Sequence, residues 1–284
     1  MPLLLLVSFV WAFSFGLIKN RLAGLDSSAV AAVRIGLSAL VFLPFLRFEG
    51  TSTRQRVQLA TTGAVQFGAM YLFYLQAFHY LHAYEVALFT ITTPLLVTLI
   101  DAIMERRSNG LFWAAAALSV AGAAVVVWKG SSASGDTLTG FWLVQLSNAC
   151  FAVGQLAYRR IRSSLTALAD YRLFGWLYLG GVAATLAYTL QQGAWHGFSP
   201  TPAQWGILAY LGILASGVCF FLWNRGATQV NAGTLAAMNN AKIPLAVACS
   251  LLFFGEQADW MRLLVGGALL AASVTLAERA RSAR

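Results

Sequence analysis

The chain has 284 residues, of which 59% are hydrophobic and only 10% charged, and its mean hydropathy is +0.69. Soluble domains carry about 25% charged residues, so this composition excludes an ordinary soluble protein and indicates a membrane protein. The net charge of +9 would favour nucleic-acid binding in a soluble chain. Here the arginines cluster between apolar segments, so we interpret them as topology determinants and expect no nucleic-acid partner.

Ten apolar segments follow one another with short connections, and a bilayer core of about 30 Å requires such segments to be helical. We treat the first, MPLLLLVSFVWAFSFGLI, as a retained span because it lacks the positive start of a signal peptide. The predicted fold is an all-α polytopic membrane protein with ten transmembrane helices. Their predicted bounds are Pro2 to Ile18, Ser27 to Leu46, Val57 to Tyr80, Tyr84 to Met104, Leu111 to Trp128, Gly140 to Tyr158, Leu168 to Leu190, Pro202 to Trp223, Val230 to Phe254 and Trp260 to Ala277.

The chain contains an internal duplication, seen most clearly in the stretch YLFYLQAFHYLHAYEVALFTITTPLLVTLI, residues 71–100. When the numbering is shifted by 150, this stretch lies over a second copy, and Pro94 falls on Pro244. Each copy is an apolar segment, a short polar break and a second apolar segment with proline near its middle. We therefore predict two five-helix repeats, residues 1–130 and 131–284.

Lysine and arginine residues set the predicted orientation. With a cytoplasmic N-terminus, 12 of them fall in inner loops and the C-terminal tail, and 3 fall in outer connections, namely Lys19, Arg21 and Lys129. This bias predicts that both termini are cytoplasmic, in a bacterial inner membrane. Because each repeat has an odd number of helices, the second repeat enters the membrane in the opposite sense. Inverted repeats are typical of secondary transporters, whose substrate site lies near the midplane between the repeats.

The chain resembles the drug/metabolite transporter superfamily, and its EamA-type members in particular. The resemblance lies in the ten-helix pattern, in YLFYLQAFHYLHAYEVAL leading into TTPLL, in its counterpart NRGATQVNAGTLAAMNNAKIPL, and in Glu105 and Glu256 after the proline helices. Within that group it looks most like the YddG-type aromatic amino-acid exporters. The resemblance implies a central cavity between inverted repeats and export of amino acids or other small metabolites without ATP. The polar stretches that follow the two proline helices read MERR and FGEQ, whereas the corresponding stretches in both repeats of the family usually resemble LGE.

Lys242 is the first candidate for substrate binding. It lies about 12 residues into a predicted helix, hence roughly 18 Å deep, where a cation must face protein or water. There it could hold a substrate carboxylate, and Asn239 adds donors and acceptors nearby. The structural alternative is a lysine that bonds to carbonyls freed by Pro244.

An aromatic face forms a second group of candidates. Phe67, Tyr71, Tyr74 and Phe78 recur at helical spacing on the third segment, and phenol rings suit a wet cavity that accepts apolar or aromatic groups. Interhelical packing is the alternative. We favour Tyr71 and Tyr74 because their hydroxyls would have no hydrogen-bond partner if they faced lipid. Trp11 is a further candidate for the cavity wall.

Several ionisable residues have more than one interpretation. His79 could bind substrate or sense protons, and we favour it over His82 because we expect His79 to belong to the helix. Glu85 could pair with either histidine or act as a coupling carboxylate. For Arg34, seven residues into the second segment, we prefer a structural role, bonding to carbonyls or to a neighbour's acid, over substrate binding.

Pro94 and Pro244 remove backbone hydrogen bonds at equivalent places, and we predict that they are hinges. The sequence contains no GxxxxGK[ST], HExxH or CxxC motif, so we expect neither an enzyme nor a cofactor nor a metal site. It predicts a monomeric secondary transporter that exports amino acids, preferably apolar or aromatic, by alternating access. Two alternatives remain: an exporter of another metabolite or drug, and an intramembrane lipid-modifying enzyme.

Overall fold

A computed structural model describes residues 2–104, 114–115, 117–118, 121–122, 125, 135–165, 167–227, 243, 245–257 and 259–282. Every regular element in these ranges is helical, which confirms the predicted all-α fold. Four of the described helices are long and apolar enough to cross a membrane, namely Leu4–Arg21, Ser27–Phe45, Asp170–Gln191 and Pro202–Gly226. The total of ten helices stays a prediction.

We number the labelled helices of the described ranges in chain order. They are α1 (Pro2–Arg21), α2 (Ser27–Phe42), α3 (53–77), α4 (83–104), α5 (Gly135–Ser163), α6 (Asp170–Gln191), α7 (202–227), α8 (245–253) and α9 (Trp260–Ser282). The described positions between 114 and 125 are also helical.

Helix α3 begins earlier than its apolar segment, at Thr53 rather than Val57, because a polar cap fixes its start. Ser52 Oγ accepts a hydrogen bond from the Gln55 backbone N–H at 3.2 Å, and Gln55 Oε1 accepts one from the Ser52 N–H at 2.9 Å. This capping box satisfies two backbone donors at the helix start. Hydropathy alone does not detect it.

Three of these helices change their winding midway. Helix α3 is π-helical over Ala64–Ala69, helix α7 is π-helical over Tyr210–Val218, and α4 contains a 3₁₀ turn at Thr90–Thr92. When the numbering is shifted by 150, the first π segment overlaps the second, which is what an internal duplication predicts. Such π segments are rare and are frequent at functional sites.

Helices α2, α3, α6 and α7 pack closely on one another. A Cβ atom on Gly63 of α3 would lie 1.8 Å from Leu177 O of α6, and one on Gly180 would lie 1.8 Å from Ala60 O. Only glycine permits such an approach of two helix backbones. Helix α1 packs along α7, and α5 packs across α3 and α4. This arrangement leaves a cavity between α1 to α5 and α7.

Candidate functional site

The cavity contains about 590 Å³ of empty space, including a part that opens to solvent. Its aromatic wall is formed by Trp11, Phe15, Tyr71, Tyr74, Phe151 and Phe220. Its polar wall is formed by Ser14, Arg34, Thr90, Thr93, Ser147 and Asn148.

Arg34 is the one charged side chain among the described residues of this wall, and it is only 2% exposed. Its Nε and Nη2 donate to Ser216 Oγ at 3.2 and 3.0 Å, and Nη2 donates to Tyr71 OH at 3.2 Å. The guanidinium carbon also lies 4.6 Å from the centroid of the Tyr71 ring, a cation–π contact. All these partners are neutral.

No carboxylate in the described part of the chain forms an ion pair with Arg34. Its Nη1 is buried and has no hydrogen-bond partner there. A buried cation without a counter-ion is costly, and an unused charged donor adds to that cost. The predicted structural role therefore accounts for only part of this guanidinium, since its bonds are to hydroxyl groups rather than to carbonyls or an acid.

The π segment of α7 holds Ser216 in place, because donors from other helices satisfy the carbonyls of this segment. Ser38 Oγ of α2 donates to Gly212 O at 2.7 Å. Trp11 Nε1 of α1 donates to Ala215 O at 2.8 Å, and Tyr178 OH of α6 donates to Ser216 O at 2.5 Å. Side chains of α1, α2 and α6 thus bond to backbone carbonyls of this π segment.

The 3₁₀ turn of α4 follows from Pro94, whose ring nitrogen has no N–H to offer the carbonyl of Thr90. The Thr93 N–H bonds to Thr90 O instead, and Thr93 Oγ1 also donates to Thr90 O at 2.7 Å. The Phe89 carbonyl, which loses the Thr93 N–H, accepts a bond from Asn148 Nδ2 at 3.0 Å. Asn148 of α5 therefore supplies a hydrogen bond to a carbonyl that the 3₁₀ turn of α4 frees.

Three predicted site residues line the cavity, namely Trp11, Tyr71 and Tyr74. The rings of Tyr71 and Tyr74 meet edge to face at 6.1 Å between centroids, and the Trp11 ring lies 4.9 Å from that of Phe220. Tyr71 and Tyr74 of the third segment thus lie at a cavity, and substrate binding by them stays a prediction.

The rest of the predicted aromatic face does not reach this cavity. Phe67 stacks on Tyr178 at 4.6 Å and is fully buried in the helix packing. Phe78 and His79 line a separate recess beside Lys19. The expectation that His79 belongs to the helix is wrong, because α3 ends at Ala77 and His79 lies in the turn that follows.

Glu85 is 1% exposed and caps the start of its own helix. Its Oε2 accepts the backbone N–H of His82 at 2.9 Å, a bond to the main chain. The pairing of Glu85 with a histidine ring stays a prediction. The His82 ring is exposed and stacks on Tyr84 at 5.6 Å between centroids. A coupling role for Glu85 stays a prediction.

Lys242, Asn239 and Pro244 lie outside the described residues. The described residues contain no group of three or more His, Cys, Asp or Glu side chains that could hold a metal ion.

Sequence reasoning missed several residues of the polar wall. Ser147 and Asn148 form a polar pair inside the apolar run of α5, and Thr90 and Thr93 immediately precede Pro94. Two signals in the sequence could have indicated a polar site. One is a pair of adjacent polar residues within a spanning helix, and the other is an arginine in α2 with no acidic residue one helical turn away.

The comparisons with known proteins agree with a transporter architecture. The model of the EamA-like transporter family matches residues 1–128 and again residues 138–277. The chain is 41% identical to a probable biotin transporter of Pseudomonas aeruginosa over 96% of both chains. It is 40% identical to the biotin transporter of Escherichia coli, over 96% of this chain and 91% of that protein.

A more distant relative is the threonine/homoserine exporter RhtA of Escherichia coli, with 26% identity over 91% of this chain and 84% of that protein. A solved crystal structure superposes with a TM-score of 0.63 over 99% of this chain and 98% of its own, at 17% identity. At that identity the superposition shows the fold alone.

Proposed function

The chain belongs to the EamA-like transporter family, and we propose that it carries biotin across the membrane, with the biotin carboxylate bound by Arg34 in the central cavity. Membership of this family makes it a membrane transporter of small molecules. The observation that carries the proposal is the buried guanidinium of Arg34, which has neutral partners and an unused Nη1 among the described residues.

A substrate carboxylate would supply the missing counter-ion. Hydrogen bonds between a guanidinium and a carboxylate are charge-assisted and about twice as strong as neutral ones. The carboxylate would meet Nη1 once the side chains that now cover it move aside. Ser216 and Tyr71 would hold the rest of the guanidinium in place meanwhile.

Biotin suits the remaining wall of the cavity. It has a single carboxylate on an aliphatic chain and a fused ring system with a ureido group. The aromatic wall offers apolar area for the rings, and Thr90, Thr93 and Asn148 offer hydrogen bonds to the ureido group. The 40–41% identical relatives that are named biotin transporters support this choice over other carboxylates.

An amino acid is the second candidate, supported by the distant relation to the threonine/homoserine exporter. It shares the carboxylate, but its ammonium group requires an acceptor of opposite charge. The described wall contains no aspartate or glutamate, so the cavity favours a monoanion over a zwitterion. The narrower resemblance to YddG-type aromatic exporters, and outward transport, remain predictions.

The remaining expectations belong to the same proposal. Lys242 and Asn239 would add to the anion site, and Pro94 and Pro244 would be hinges of alternating access. Alanine at both prolines should then reduce transport more than folding. The protein would act as a monomer in a bacterial inner membrane with both termini in the cytoplasm.

Uptake of labelled biotin into liposomes that contain only the purified protein tests the proposal. We expect saturable uptake by the wild type, and a KM raised about tenfold or more in Arg34→Met, because a hydrogen bond to a charged group contributes about 1.5–3 kcal/mol. The matched control is Arg47→Met, an exposed arginine in the loop that follows α2. Unlabelled biotin should compete, and biotin methyl ester should not.

Two results would contradict the proposal. Biotin uptake that Arg34→Met leaves unchanged would exclude Arg34 as the carboxylate site. Uptake of labelled threonine or phenylalanine without uptake of biotin would favour the amino-acid alternative.

A further inference from the structure

Asn148 of α5 is a cavity residue whose amide orientation is fixed by its neighbours. It is 5% exposed, and Nδ2 donates to Phe89 O at 3.0 Å and to Thr92 Oγ1 at 3.1 Å. A backbone carbonyl can only accept, so the amide nitrogen must face α4 and the amide oxygen must face away.

The other hydrogen bonds at the 3₁₀ turn of α4 are consistent with this orientation of the Asn148 amide. Thr92 Oγ1 lies 2.7 Å from Gln145 Oε1 and 2.9 Å from Phe89 O, so its proton has acceptors available and its lone pair is free for Asn148. Reversing the amide would place an oxygen against the Phe89 carbonyl oxygen. The Pro94 break in α4 therefore determines which atom of Asn148 remains available.

The oxygen Oδ1 of Asn148 receives no hydrogen bond from any residue that the structure describes. This oxygen is not one of the fully buried side-chain atoms that lack a partner, so part of its surface is accessible. Asn148 lines the same cavity as Arg34. The cavity wall thus presents a fixed hydrogen-bond acceptor in addition to the cation.

We propose that Asn148 Oδ1 determines substrate specificity by accepting a hydrogen bond from a substrate N–H, which in biotin is a ureido N–H. This inference rests on the proposed function and extends it from the carboxylate to the ring end of the substrate. A site built to bond an N–H rejects an analogue that lacks it, because the acceptor would be left unpaired when the substrate fills the cavity.

The test measures how well two unlabelled analogues compete with labelled biotin for uptake into liposomes. One analogue carries CH₂ groups in place of both ureido N–H groups, which keeps its size. The other is biotin methyl ester, which keeps the N–H groups and loses the charge. For the wild type we expect the CH₂ analogue to compete at least about tenfold more weakly than biotin.

In Asn148→Leu we expect the CH₂ analogue and biotin to compete within about twofold of each other, while the methyl ester still competes poorly because Arg34 is intact. Thr92 Oγ1 remains within bonding distance of the Phe89 carbonyl in this variant, which preserves the α4 break. The matched control is Asn20→Leu, an exposed asparagine of α1 that bonds to Gly16 O of its own helix and does not line the cavity, and this variant should discriminate like the wild type.

Equal competition by biotin and the CH₂ analogue in the wild type would overturn the role of Asn148 and leave biotin transport standing. That comparison needs no variant, so it decides the matter even where Asn148→Leu fails to fold. Undiminished discrimination in a folded Asn148→Leu would also overturn it. A wild type that takes up no biotin would overturn both the proposed function and this inference.

Discussion

Glu256 Oε1 lies 3.0 Å from the backbone nitrogen of Ala83, so a carboxylate from the C-terminal half of the chain caps helix α4 of the N-terminal half. Its Oε2 accepts the Tyr84 N–H at 3.2 Å and also bonds the hydroxyl of Ser250. A carboxylate at a helix N-terminus is favoured by unpaired N–H groups and by the helix dipole. In alternating access, such a contact between halves must break when this end of the bundle opens.

We therefore expect Glu256→Ala to open this end of the molecule more often. A single cysteine at Ser14, on the cavity wall, reports on this when Cys150, Cys219 and Cys249 are replaced by alanine. A hydrophilic maleimide should label it several times faster in Glu256→Ala than in the parent, because loss of the cap removes about 0.5–2 kcal/mol from the closed state.

The control for that experiment is Asp259→Ala. Asp259 lies at the same end of the bundle, and its side chain bonds to the neighbouring Met261 and Arg262. It should leave the labelling rate unchanged. Equal rates in Glu256→Ala and the parent would show that the cap does not control access.

Ser216→Ala should weaken substrate binding with little effect on the maximal rate. Ser216 Oγ accepts bonds from two nitrogens of Arg34, so its loss frees the guanidinium to adopt other rotamers. One hydrogen bond contributes about 1 kcal/mol, which predicts a KM for biotin raised about fivefold in liposome uptake. Ser14→Ala is the control, since Ser14 lines the cavity but bonds to Val10 O within its own helix. The same KM in both variants would contradict the positioning role.

Thr93→Val should destabilise the protein, and Pro94→Ala should reduce that loss. Thr93 Oγ1 gives the Thr90 carbonyl a second donor beside the Thr93 N–H, in place of the donor that Pro94 lacks, and one hydrogen bond contributes about 0.5–1.5 kcal/mol. Alanine at position 94 restores a backbone N–H, so the two effects should couple in a double-mutant cycle. The measurement is the apparent unfolding temperature in detergent, with Thr93→Ser as control. Equal losses in both backgrounds would refute the coupling.

Gly180→Ala should lower stability sharply, whereas Gly36→Ala should not. A Cβ at Gly180 would lie 1.8 Å from Ala60 O, while one at Gly36 meets nothing within 4 Å. Separating two packed helices by this amount costs about 1–3 kcal/mol or prevents folding. Unfolding temperatures of the two purified variants give the comparison, and similar values would mean that α3 and α6 do not pack as described.

The fold class was predictable because apolar segments and their lengths are local properties of the sequence. Within a lipid bilayer, a spanning run of about 20 apolar residues satisfies its own backbone hydrogen bonds as a helix. The same local reasoning placed Tyr71, Tyr74 and Trp11 at a cavity, since helical spacing decides which residues share a face. It misplaced His79 because the end of α3 depends on a turn that hydropathy does not encode.

The sequence by itself thus determined that the chain is a helical membrane protein, that its halves resemble each other, and that Arg34 needs a partner. Only the tertiary structure shows which residues are the partners of Arg34. Ser216 lies 182 residues further along, and Asn148 lies 59 residues from the carbonyl that orients its amide. Such pairings depend on the π segment of α7 and the break in α4, where backbone groups leave regular winding and take their partners from other helices.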